Sequence, residues 1–363
     1  MKILCVIDSL GSGGAQRQLV NLALAFQEKG HKVEFLVYHS DPFYNDVLKK
    51  SNINIIEVLE SNYIKRILKM RKKIREGNYD SVLSFLEAPS FISTIAGLPF
   101  RKWRLVVGER SANPHILKSF KLKLYRWFHI FASAVVANSH ENIKMVKNIN
   151  PILHDKKMHV IYNLIDFNKW QFNSAEYIYR KNGKFNLTVI ASHQYLKNLN
   201  GLVEALNLLD ENYRNQIIIN WYGGESKDDS KEQALKKIEK YNLQRNFIFH
   251  KPTLDIAFKV NEADALGLFS FYEGLPNVVC EAMVMQKPII SSNVSDIKIF
   301  IDKDFIFDPT NSVEISEKIK LLIDADEEYL HLMGNRNRSI ALEIFNNYKI
   351  VSKYLNLLSK GNF

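Results

Sequence analysis

Cysteine is scarce in this chain of 363 residues, and it has no long apolar runs. Its two cysteines, Cys5 and Cys280, each lie in an apolar segment, so neither a disulfide scaffold nor a cysteine metal cluster is expected, and a reducing cytoplasm fits. Nowhere do about 18 uncharged apolar residues follow one another, so we expect no transmembrane helix. The apolar run at residues 3–7 is too short for the core of a signal peptide, and a first strand explains it better.

Acidic residues are few in the first half of the chain. Residues 1–165 contain 25 Lys and Arg against 13 Asp and Glu, whereas the remainder contains 24 against 26. A basic half beside a nearly neutral half indicates an anionic partner for the first half only. The composition, 46% apolar and 24% charged, is otherwise that of a globular protein, and the length allows two domains with full cores.

Two segments concentrate this positive charge. Residues 63–75 carry seven Lys and Arg and no acid, and residues 115–131 combine Lys118, Lys121, Lys123 and Arg126 with five aromatic side chains. Basic amphipathic helices of this kind suit an anionic membrane surface, where each Lys or Arg contributes about 1 kcal/mol. The alternative for both segments is a solvated face of an ordinary surface helix. Nucleic acid is not expected as a partner, because no recognised binding motif accompanies the charge.

The start of the chain predicts a βαβ unit. A strand at residues 2–7 is followed by a glycine loop, a helix with an apolar face that ends near Lys29, and a second strand at residues 33–38. Gly13 and Gly14 allow the backbone to approach a ligand closely at the helix N-terminus. A dinucleotide fingerprint is a weak interpretation, because Gln16 stands at its third glycine and the second strand does not end in an acid.

A stretch in the second half carries the main functional signal. The buried strand predicted at residues 265–269 is followed by Glu273, a Gly-Leu-Pro corner and a helix from about Asn277 to Met285, with Glu281 about one turn inside it. Carboxylates accept hydrogen bonds from hydroxyl groups, whereas the free amides and the dipole of a helix N-terminus favour anions. A sugar joined to a diphosphate needs both. The alternative is an ordinary strand–turn–helix with two solvated glutamates.

The pattern Ser-x-x-Glu-Gly-x-Pro-Asn-x-x-x-Glu-Ala-Met, from Ser270 to Met283, resembles the Glu-x7-Glu motif of the retaining glycosyltransferases of bacterial family 4. The resemblance implies an α/β fold of the GT-B type, with two Rossmann-like parallel-sheet domains facing a cleft. It implies an acceptor- and membrane-facing domain in residues 1–165 and a nucleotide-sugar domain in residues 166–345. It also implies a C-terminal helix in residues 346–363 that crosses back to the first domain.

Other segments extend the resemblance along the chain. Gly13-Gly14-Ala15-Gln16-Arg17 is similar to the family's glycine loop near the donor phosphate and the acceptor. Arg110 stands where members often have a histidine facing the donor sugar, which implies a fixed positive charge there. The family has Gly-Arg before the lysine equivalent to Lys197, whereas this chain has Ala191-Ser192. Stabilisation of the leaving group is therefore expected from Lys197, with help from His193 or Arg110.

The resemblance also implies roles at single positions. Glu281 is expected to bind the ribose hydroxyls, Glu273 the transferred sugar, and the end of the strand at His250 the nucleobase. No resident cofactor or metal is expected. The predicted catalytic residues are Glu273, Lys197 and Arg110, and the predicted donor-binding residues are Glu281, Gly274, Leu275, Pro276, Asn277, Gly13, Gly14, His193 and His250.

We therefore expect a retaining glycosyltransferase that moves a sugar from a nucleotide-diphosphate sugar, with UDP favoured, to a lipid-linked glycan acceptor. The context is cell-surface polysaccharide synthesis, such as lipopolysaccharide O-antigen or capsule, by a cytoplasmic protein bound peripherally to the inner face of the plasma membrane. Two alternatives stay open: a nucleotide-sugar epimerase of the same fold, and a non-catalytic nucleotide-sugar-binding protein that docks to membranes. Release of free nucleotide from sugar donors in the presence of acceptor separates transfer from both.

Overall fold

The computed structural model of the protein describes residues 1–253 and 255–359. The chain divides into two compact units. Unit 1 contains Met1–Leu164 together with the segment from Phe345 onward, and unit 2 contains Ile165–Ile344. Each unit has its own parallel sheet and its own core.

Unit 1 is built on a seven-stranded parallel sheet in the order β3-β2-β1-β4-β5-β6-β7. Helices cover both faces of this sheet, so its central strands are buried almost throughout, and Ile3, Leu4, Cys5 and Val6 of β1 are fully buried. The strands are β1 (Lys2–Val6), β2 (Lys32–Val37), β3 (Asn54–Glu57), β4 (Ser81–Phe85), β5 (Arg104–Glu109), β6 (Ala134–Ala137) and β7 (Met158–Val160).

The helices between these strands start at residues that satisfy free backbone amides. Asn62, Ser119 and Ser139 each accept a hydrogen bond from an amide in the first turn of the following helix. The helices of this part are α1 (Gly14–Glu28), α2 (Asn45–Lys50), α3 (Tyr63–Glu76), α4 (Glu87–Ala96), α5 (Phe120–Trp127) and α6 (His140–Ile149), with short 3-10 turns at Pro114–Leu117, Phe128–Phe131 and Asp155–Lys157.

Unit 2 has a six-stranded parallel sheet in the order β10-β9-β8-β11-β12-β13. The strands are β8 (Phe185–Ile190), β9 (Ile217–Tyr222), β10 (Phe247–His250), β11 (Ala265–Leu268), β12 (Ile289–Ser292) and β13 (Ile306–Phe307). The helices are α7 (Leu199–Leu208), α8 (Glu211–Gln216), α9 (Ser230–Lys240), α10 (Ile256–Glu262), α11 (Asn277–Val284), α12 (Ile297–Phe300), α13 (Ser312–Asp324) and α14 (Glu327–Ile344), with 3-10 turns at Lys181–Gly183, Tyr195–Lys197 and Lys303–Phe305.

The terminal helix α15 (Asn347–Leu358) belongs to unit 1. Its buried face packs with α1 and the sheet, and Tyr354 lies between the rings of Phe26 and Phe85, with each pair of ring centroids 6.5 Å apart. Its last carbonyls are also held by the sheet, because Ser81 Oγ donates to the carbonyl of Leu358 and Arg104 Nε donates to that of Leu357 at 2.8 Å. The helix is therefore part of the core of unit 1.

The predicted α/β architecture, with two parallel-sheet domains and a terminal helix that returns to the first, is confirmed. The strand and helix around the main motif lie within one or two residues of their predicted bounds. Within the described ranges, no helix has the length and apolar character needed to cross a bilayer. In the segment 115–131, where a basic amphipathic helix is expected, the regular helix covers only the middle, and Arg126 and His129 are buried.

Candidate active site

The chain order of the unit 2 sheet determines where a ligand can lie. From β8 the chain proceeds outward through β9 and β10, then returns to place β11 on the other side of β8. In open parallel sheets, ligands bind beyond the carboxyl ends of the strands at such a reversal point. The two loops that leave it are residues 191–198 after β8 and residues 269–276 after β11.

The second of these loops leads into α11. Pro276 precedes the helix with φ −71°, a backbone angle that suits the start of a helix. Backbone amides at a helix start have no partner within the helix, so the missing N–H of proline costs no hydrogen bond there. Every residue of α11 from Val279 to Val284 is buried, and this packing fixes the position of the helix N-terminus. The carbonyl of Gly274 accepts a hydrogen bond from the hydroxyl of Ser295, so the corner is also held from the loop after β12.

Glu273, at the start of this corner, is held by two donors on one oxygen. Lys197 Nζ lies 2.6 Å from Oε1 of Glu273, and Ser270 Oγ donates to the same Oε1 at 2.8 Å. Both the lysine and the glutamate side chains are mostly buried, with 20% and 15% of their surface exposed. The second carboxylate oxygen, Oε2, receives no hydrogen bond from the described part of the chain, so it is the oxygen available to a ligand hydroxyl.

Lys197 owes its position to contacts between the two loops. The amide of Phe271 donates to the carbonyl of Leu196 at 3.0 Å, and the rings of Phe271 and Tyr195 lie 5.1 Å apart. Asn198, the next residue, adopts the left-handed conformation that asparagine tolerates, and its side chain caps α7 through the amide of Gly201. The structure thus brings together Lys197 and Glu273, which the sequence analysis chose separately.

Glu281 lies one turn into α11 and is 4% exposed, so it is held against the interior rather than solvated. The corner residues Gly274, Leu275, Pro276 and Asn277 lie between it and Glu273. Glu281 and Asn277 both have partners within the protein. The alternative of two freely solvated glutamates therefore does not describe this corner.

Both predicted histidines of unit 2 lie in aromatic surroundings. His193 is buried and stacks on Trp221 with ring centroids 6.0 Å apart, and its Nδ1 has no hydrogen-bond partner among the described residues. Burial and then the Lys231 ammonium lower the pKa of His193 below its ordinary value. His250 stacks on Tyr222 at 4.2 Å, and burial followed by Lys259 lowers the pKa of His250 as well. Burial and the neighbouring lysines therefore favour the neutral form of both rings.

Gly13 and Gly14 lie in unit 1 at the corresponding reversal point, between β1 and β4. Gly13 precedes α1, and Gln16 folds back over it: a Cβ added at Gly13 would lie 2.2 Å from Gln16 Oε1. The Gln16 amide donates to Asp8 Oδ1 at 2.9 Å, which holds the loop against the end of β1. The Gln16 side chain therefore packs closely on the backbone of Gly13 because that residue lacks a side chain, and donor binding by Gly13 and Gly14 stays a prediction.

Arg110 follows β5 in unit 1 and is engaged by its own unit. Its guanidinium lies 3.8 Å from the centre of the Phe85 ring, donates to Asn163 Oδ1 at 3.0 Å, and donates to the hydroxyl of Tyr354. Three contacts therefore hold the guanidinium in place: Phe85 at the end of β4, Asn163 near the end of the first segment of unit 1, and Tyr354 on α15. A catalytic role for Arg110 stays a prediction.

Glu109, which precedes Arg110 in the sequence, belongs to a buried ionic cluster that the sequence pattern does not indicate. Arg126, which is wholly buried, donates to Glu109 Oε2 at 2.7 Å, and His129 contacts the other oxygen of Glu109 at 2.7 Å. Burial would raise the pKa of Glu109, but Arg126 and His129 outweigh it and hold that pKa below its ordinary value. Arg126 is therefore a structural cation and not part of a basic surface.

The exposed surface of α3 and α5 is both apolar and basic. The two helices are joined by a 2.8 Å hydrogen bond between the hydroxyls of Tyr63 and Tyr125. We call this surface, together with Lys118 just before α5, the α3–α5 face. It is defined by the exposed side chains Ile64, Leu68, Phe120, Trp127, Lys65, Lys72, Lys73, Lys118 and Lys121.

Ser270 is the site residue that the sequence analysis did not select, although it stands in the matched pattern three residues before Glu273. Its hydroxyl is buried at the end of β11 and bonded to the predicted catalytic carboxylate. Within residues 1–253 and 255–359, no three His, Cys, Asp or Glu side chains form a group that could hold a metal ion.

Two known families match this chain. Residues 12–169 match the family described as Glycosyltransferase Family 4, and residues 175–339 match the family described as Glycosyl transferases group 1, so the two matches together span most of the chain. The chain belongs to the glycosyltransferases. It is therefore an enzyme of glycosyl transfer, and its fold is the expected GT-B fold.

Relatives of this glycosyltransferase include two from Campylobacter jejuni. One is named as an α-1,4-N-acetyl-D-galactosaminyltransferase acting on GalNAc-α-(1→4)-GalNAc-α-(1→3)-diNAcBac-PP-undecaprenol; it is 24% identical over 351 residues, 92% of each chain. The other is an N-acetylgalactosamine-N,N'-diacetylbacillosaminyl-diphospho-undecaprenol 4-α-N-acetylgalactosaminyltransferase, 24% identical over 88% of this chain and 90% of its own. Among solved structures, Anabaena Alr3699/HepE in complex with UDP aligns with a TM-score of 0.86 at 18% identity, covering 99% of this chain and 100% of that one.

Proposed function

We propose that this glycosyltransferase moves a sugar, with retention of anomeric configuration, from a nucleotide-diphosphate sugar to a lipid-linked glycan acceptor in cell-surface polysaccharide synthesis. The observation that carries the proposal is the Lys197–Glu273 pair at the reversal point of the unit 2 sheet, beside the N-terminus of α11. UDP in the similar Anabaena structure supports a UDP-sugar donor. The undecaprenol-diphosphate acceptors named for the Campylobacter relatives support a lipid-linked acceptor.

The donor is proposed to span the loops after β8 and β11. Its diphosphate would lie at Lys197 and the amides at the N-terminus of α11, which together favour an anion. Oε2 of Glu273 would accept a hydroxyl of the transferred sugar, and Glu281 the ribose hydroxyls. The aromatic end of β10 at His250 would lie against the base. These roles give the diphosphate, the ribose and one hydroxyl of the transferred sugar complementary groups.

The chemistry proposed is displacement at the anomeric carbon on one face. The bond between that carbon and the diphosphate oxygen breaks, the acceptor hydroxyl oxygen bonds to the same carbon, and its proton passes to an oxygen of the departing phosphate. Negative charge grows on the diphosphate as the bond breaks. Lys197 would stabilise that charge, and His193 stays a predicted helper, as a hydrogen-bond donor. Preorganised charges of this kind are most effective where water is excluded.

The test is the transfer rate of Glu273→Ala and Glu281→Ala with sugar nucleotides and an undecaprenyl-diphosphate-linked acceptor. Losing one group that stabilises the transition state typically costs about 3–4 kcal/mol, so we expect rates lower by two to three orders of magnitude. Glu232→Ala on exposed α9 is the matched control and keeps the wild-type rate. NMR of the product's anomeric proton reports retention. Wild-type rates in both site variants, or an inverted product, remove the proposal.

We also propose that the α3–α5 face binds the anionic cytoplasmic surface of the membrane, which would bring the enzyme to a lipid-linked acceptor. Ile64 and Leu68 lie one turn apart on α3, and Phe120, 81% exposed, lies on α5. Exposed apolar side chains combined with exposed lysines on the same helices match a lipid surface with negative headgroups. Arg126 contributes nothing to this face because it is buried.

A further inference from the structure

The pairing of Lys197 with Glu273 makes two groups of the donor site depend on each other. At 2.6 Å the ammonium and the carboxylate form a charge-assisted hydrogen bond, and both side chains are largely shielded from water. A lysine held in this way presents little net charge to a second anion, because its field and that of the glutamate largely cancel at a distance. The diphosphate of a donor therefore does not meet a free cation.

Ser270 gives the carboxylate a second anchor. Its hydroxyl bonds the same Oε1 at 2.8 Å, and the residue is 1% exposed at the end of β11, so its position does not depend on Lys197. The bond between the amide of Phe271 and the carbonyl of Leu196 keeps the two loops together independently of the ion pair. If Lys197 turned away, Ser270 would still orient Glu273, and Oε1 could accept a hydrogen bond from another donor in place of the lysine.

We propose that the donor diphosphate displaces Glu273 as the partner of Lys197 and that Ser270, as a positioning residue, holds the released carboxylate for a sugar hydroxyl. This inference rests on the proposed nucleotide-sugar donor. In the structure the lysine and the glutamate pair with each other. With the donor bound, the ammonium would pair with a phosphate oxygen and the carboxylate would accept a hydrogen bond from a sugar hydroxyl.

The exchange makes the site respond to the two ends of the donor together. A nucleoside diphosphate alone breaks the ion pair and leaves Glu273 without a new partner, whereas the intact sugar nucleotide supplies partners to both groups. Binding of the nucleotide product is thereby weakened relative to that of the donor. Removing the charge of Glu273 would abolish this discrimination by leaving Lys197 ready for phosphate.

The decisive experiment is a double-mutant cycle on nucleotide binding. Isothermal titration calorimetry with UDP, GDP, ADP and dTDP identifies the nucleoside diphosphate that the wild-type enzyme binds best. We expect Glu273→Gln to bind it about three- to tenfold more tightly than wild type and Lys197→Met to bind it more weakly. In the Lys197→Met background no ion pair is left to break. The factor by which Glu273→Gln increases the affinity for the nucleotide should therefore be at least threefold smaller there than in the wild-type background.

Simple repulsion between Glu273 and the diphosphate gives a different result. It predicts that Glu273→Gln increases nucleotide affinity by the same factor with or without Lys197. Equal factors in the two backgrounds would overturn the proposed exchange, and so would an unchanged affinity in Glu273→Gln. Glu232→Gln on α9, which removes a charge from an exposed ion pair of unit 2, controls for net charge and keeps the wild-type affinity. If none of the four nucleotides binds the wild-type enzyme, the donor proposal fails and the exchange fails with it.

Ser270 is tested by separating binding from turnover. Ser270→Ala keeps the ion pair, so the affinity for the nucleoside diphosphate stays within twofold of wild type while kcat for transfer falls at least tenfold. Ser270→Thr keeps a hydroxyl at this position and restores kcat. Equal kcat in Ser270→Ala and wild type overturns the positioning role, and loss of nucleotide affinity in Ser270→Ala shows that the residue supports the fold of the loop instead.

Discussion

At the scale of single residues, Gly223 lies where the turn after β9 passes closest to the loop after β8. A Cβ at this position would lie 1.8 Å from the carbonyl oxygen of Ala191, which already accepts a hydrogen bond from Trp221 Nε1 at 2.7 Å. The obstacle is backbone, so a side-chain rotation cannot relieve it. The loop at residues 191–198, which carries Lys197, can therefore pass this close to the turn only because residue 223 has no side chain.

Gly223→Ala tests this contact. Forcing a methyl group into a packed site typically costs about 1–3 kcal/mol, and we expect that loss in the free energy of unfolding measured with urea. The neighbouring Gly224→Ala is the matched control, since a Cβ there would meet only Pro252 Cγ at 3.6 Å. Its unfolding free energy should stay within about 0.5 kcal/mol of wild type. Equal losses in the two variants would contradict the role given to the Ala191 contact.

Lys287 is a buried cation away from the donor site. Its Nζ donates to the carbonyls of Asn261 and Ala263 at 2.7 and 2.9 Å, and it lies 4.1 Å from the centre of the Tyr177 ring. Burial lowers the pKa of Lys287 to about 7, although the nearby Asp264 carboxylate acts in the opposite direction. Glu327 and His331 line the same small cavity.

The sign of the resulting pH dependence follows from proton counts. Above pH 7 the folded protein has lost the Lys287 proton, whereas the unfolded chain keeps it until about pH 10.4, so the stability contributed by this group rises as the pH increases between those values. We expect the unfolding free energy of wild type relative to Lys287→Met to increase by about 1–3 kcal/mol from pH 6.5 to 9.5. Denaturant titrations of both proteins at each pH measure it. A constant difference would mean that the lysine stays charged throughout.

At the scale of elements, the α3–α5 face makes the membrane proposal testable. Phe120→Ser removes one exposed aromatic ring from α5 without disturbing the buried Arg126 cluster. We expect binding to vesicles containing phosphatidylglycerol to weaken about tenfold, since burying such a side chain is worth about 1.5–3 kcal/mol. Co-sedimentation with vesicles of increasing phosphatidylglycerol content measures it. Leu332→Ser, a similarly exposed apolar position on α14 of unit 2, keeps wild-type binding, and vesicle binding that ignores anionic lipid would contradict the proposal.

Parts of the site can be predicted from the sequence alone when the interacting residues lie close together along the chain. The corner from Ser270 to Glu281 was found because strand, proline, glycine and helix are local signals within 12 residues. The pairing of Lys197 with Glu273 joins positions 76 residues apart, and only the strand order brings their loops together. Arg126 was assigned to a basic surface because its helix is amphipathic. Its buried partner Glu109 lies on another element, which helical periodicity cannot show.

At the scale of the whole molecule, the chain returns to its first unit at the end. The buried residues of α15 complete the core formed by α1 and the sheet, and Tyr354 receives a hydrogen bond from Arg110, 244 positions earlier. Unit 1 therefore needs both ends of the chain. The sequence predicts the helix and its apolar face, but its partners come from strands far away in the sequence.

Tyr354→Ala tests whether unit 1 is incomplete without this contact. The side chain is 1% exposed, and replacing a large buried aromatic by alanine typically costs about 3–5 kcal/mol, so we expect the unfolding of unit 1 to shift to lower denaturant. Hydrogen exchange followed by mass spectrometry locates the loss: β4 and β5 of unit 1 should exchange faster, whereas β8 and β11 of unit 2 should keep their protection. Tyr348→Ala on the exposed face of α15 is the matched control and changes neither. Faster exchange spread evenly over both sheets would show that the helix stabilises the chain in some way other than by completing the core of unit 1.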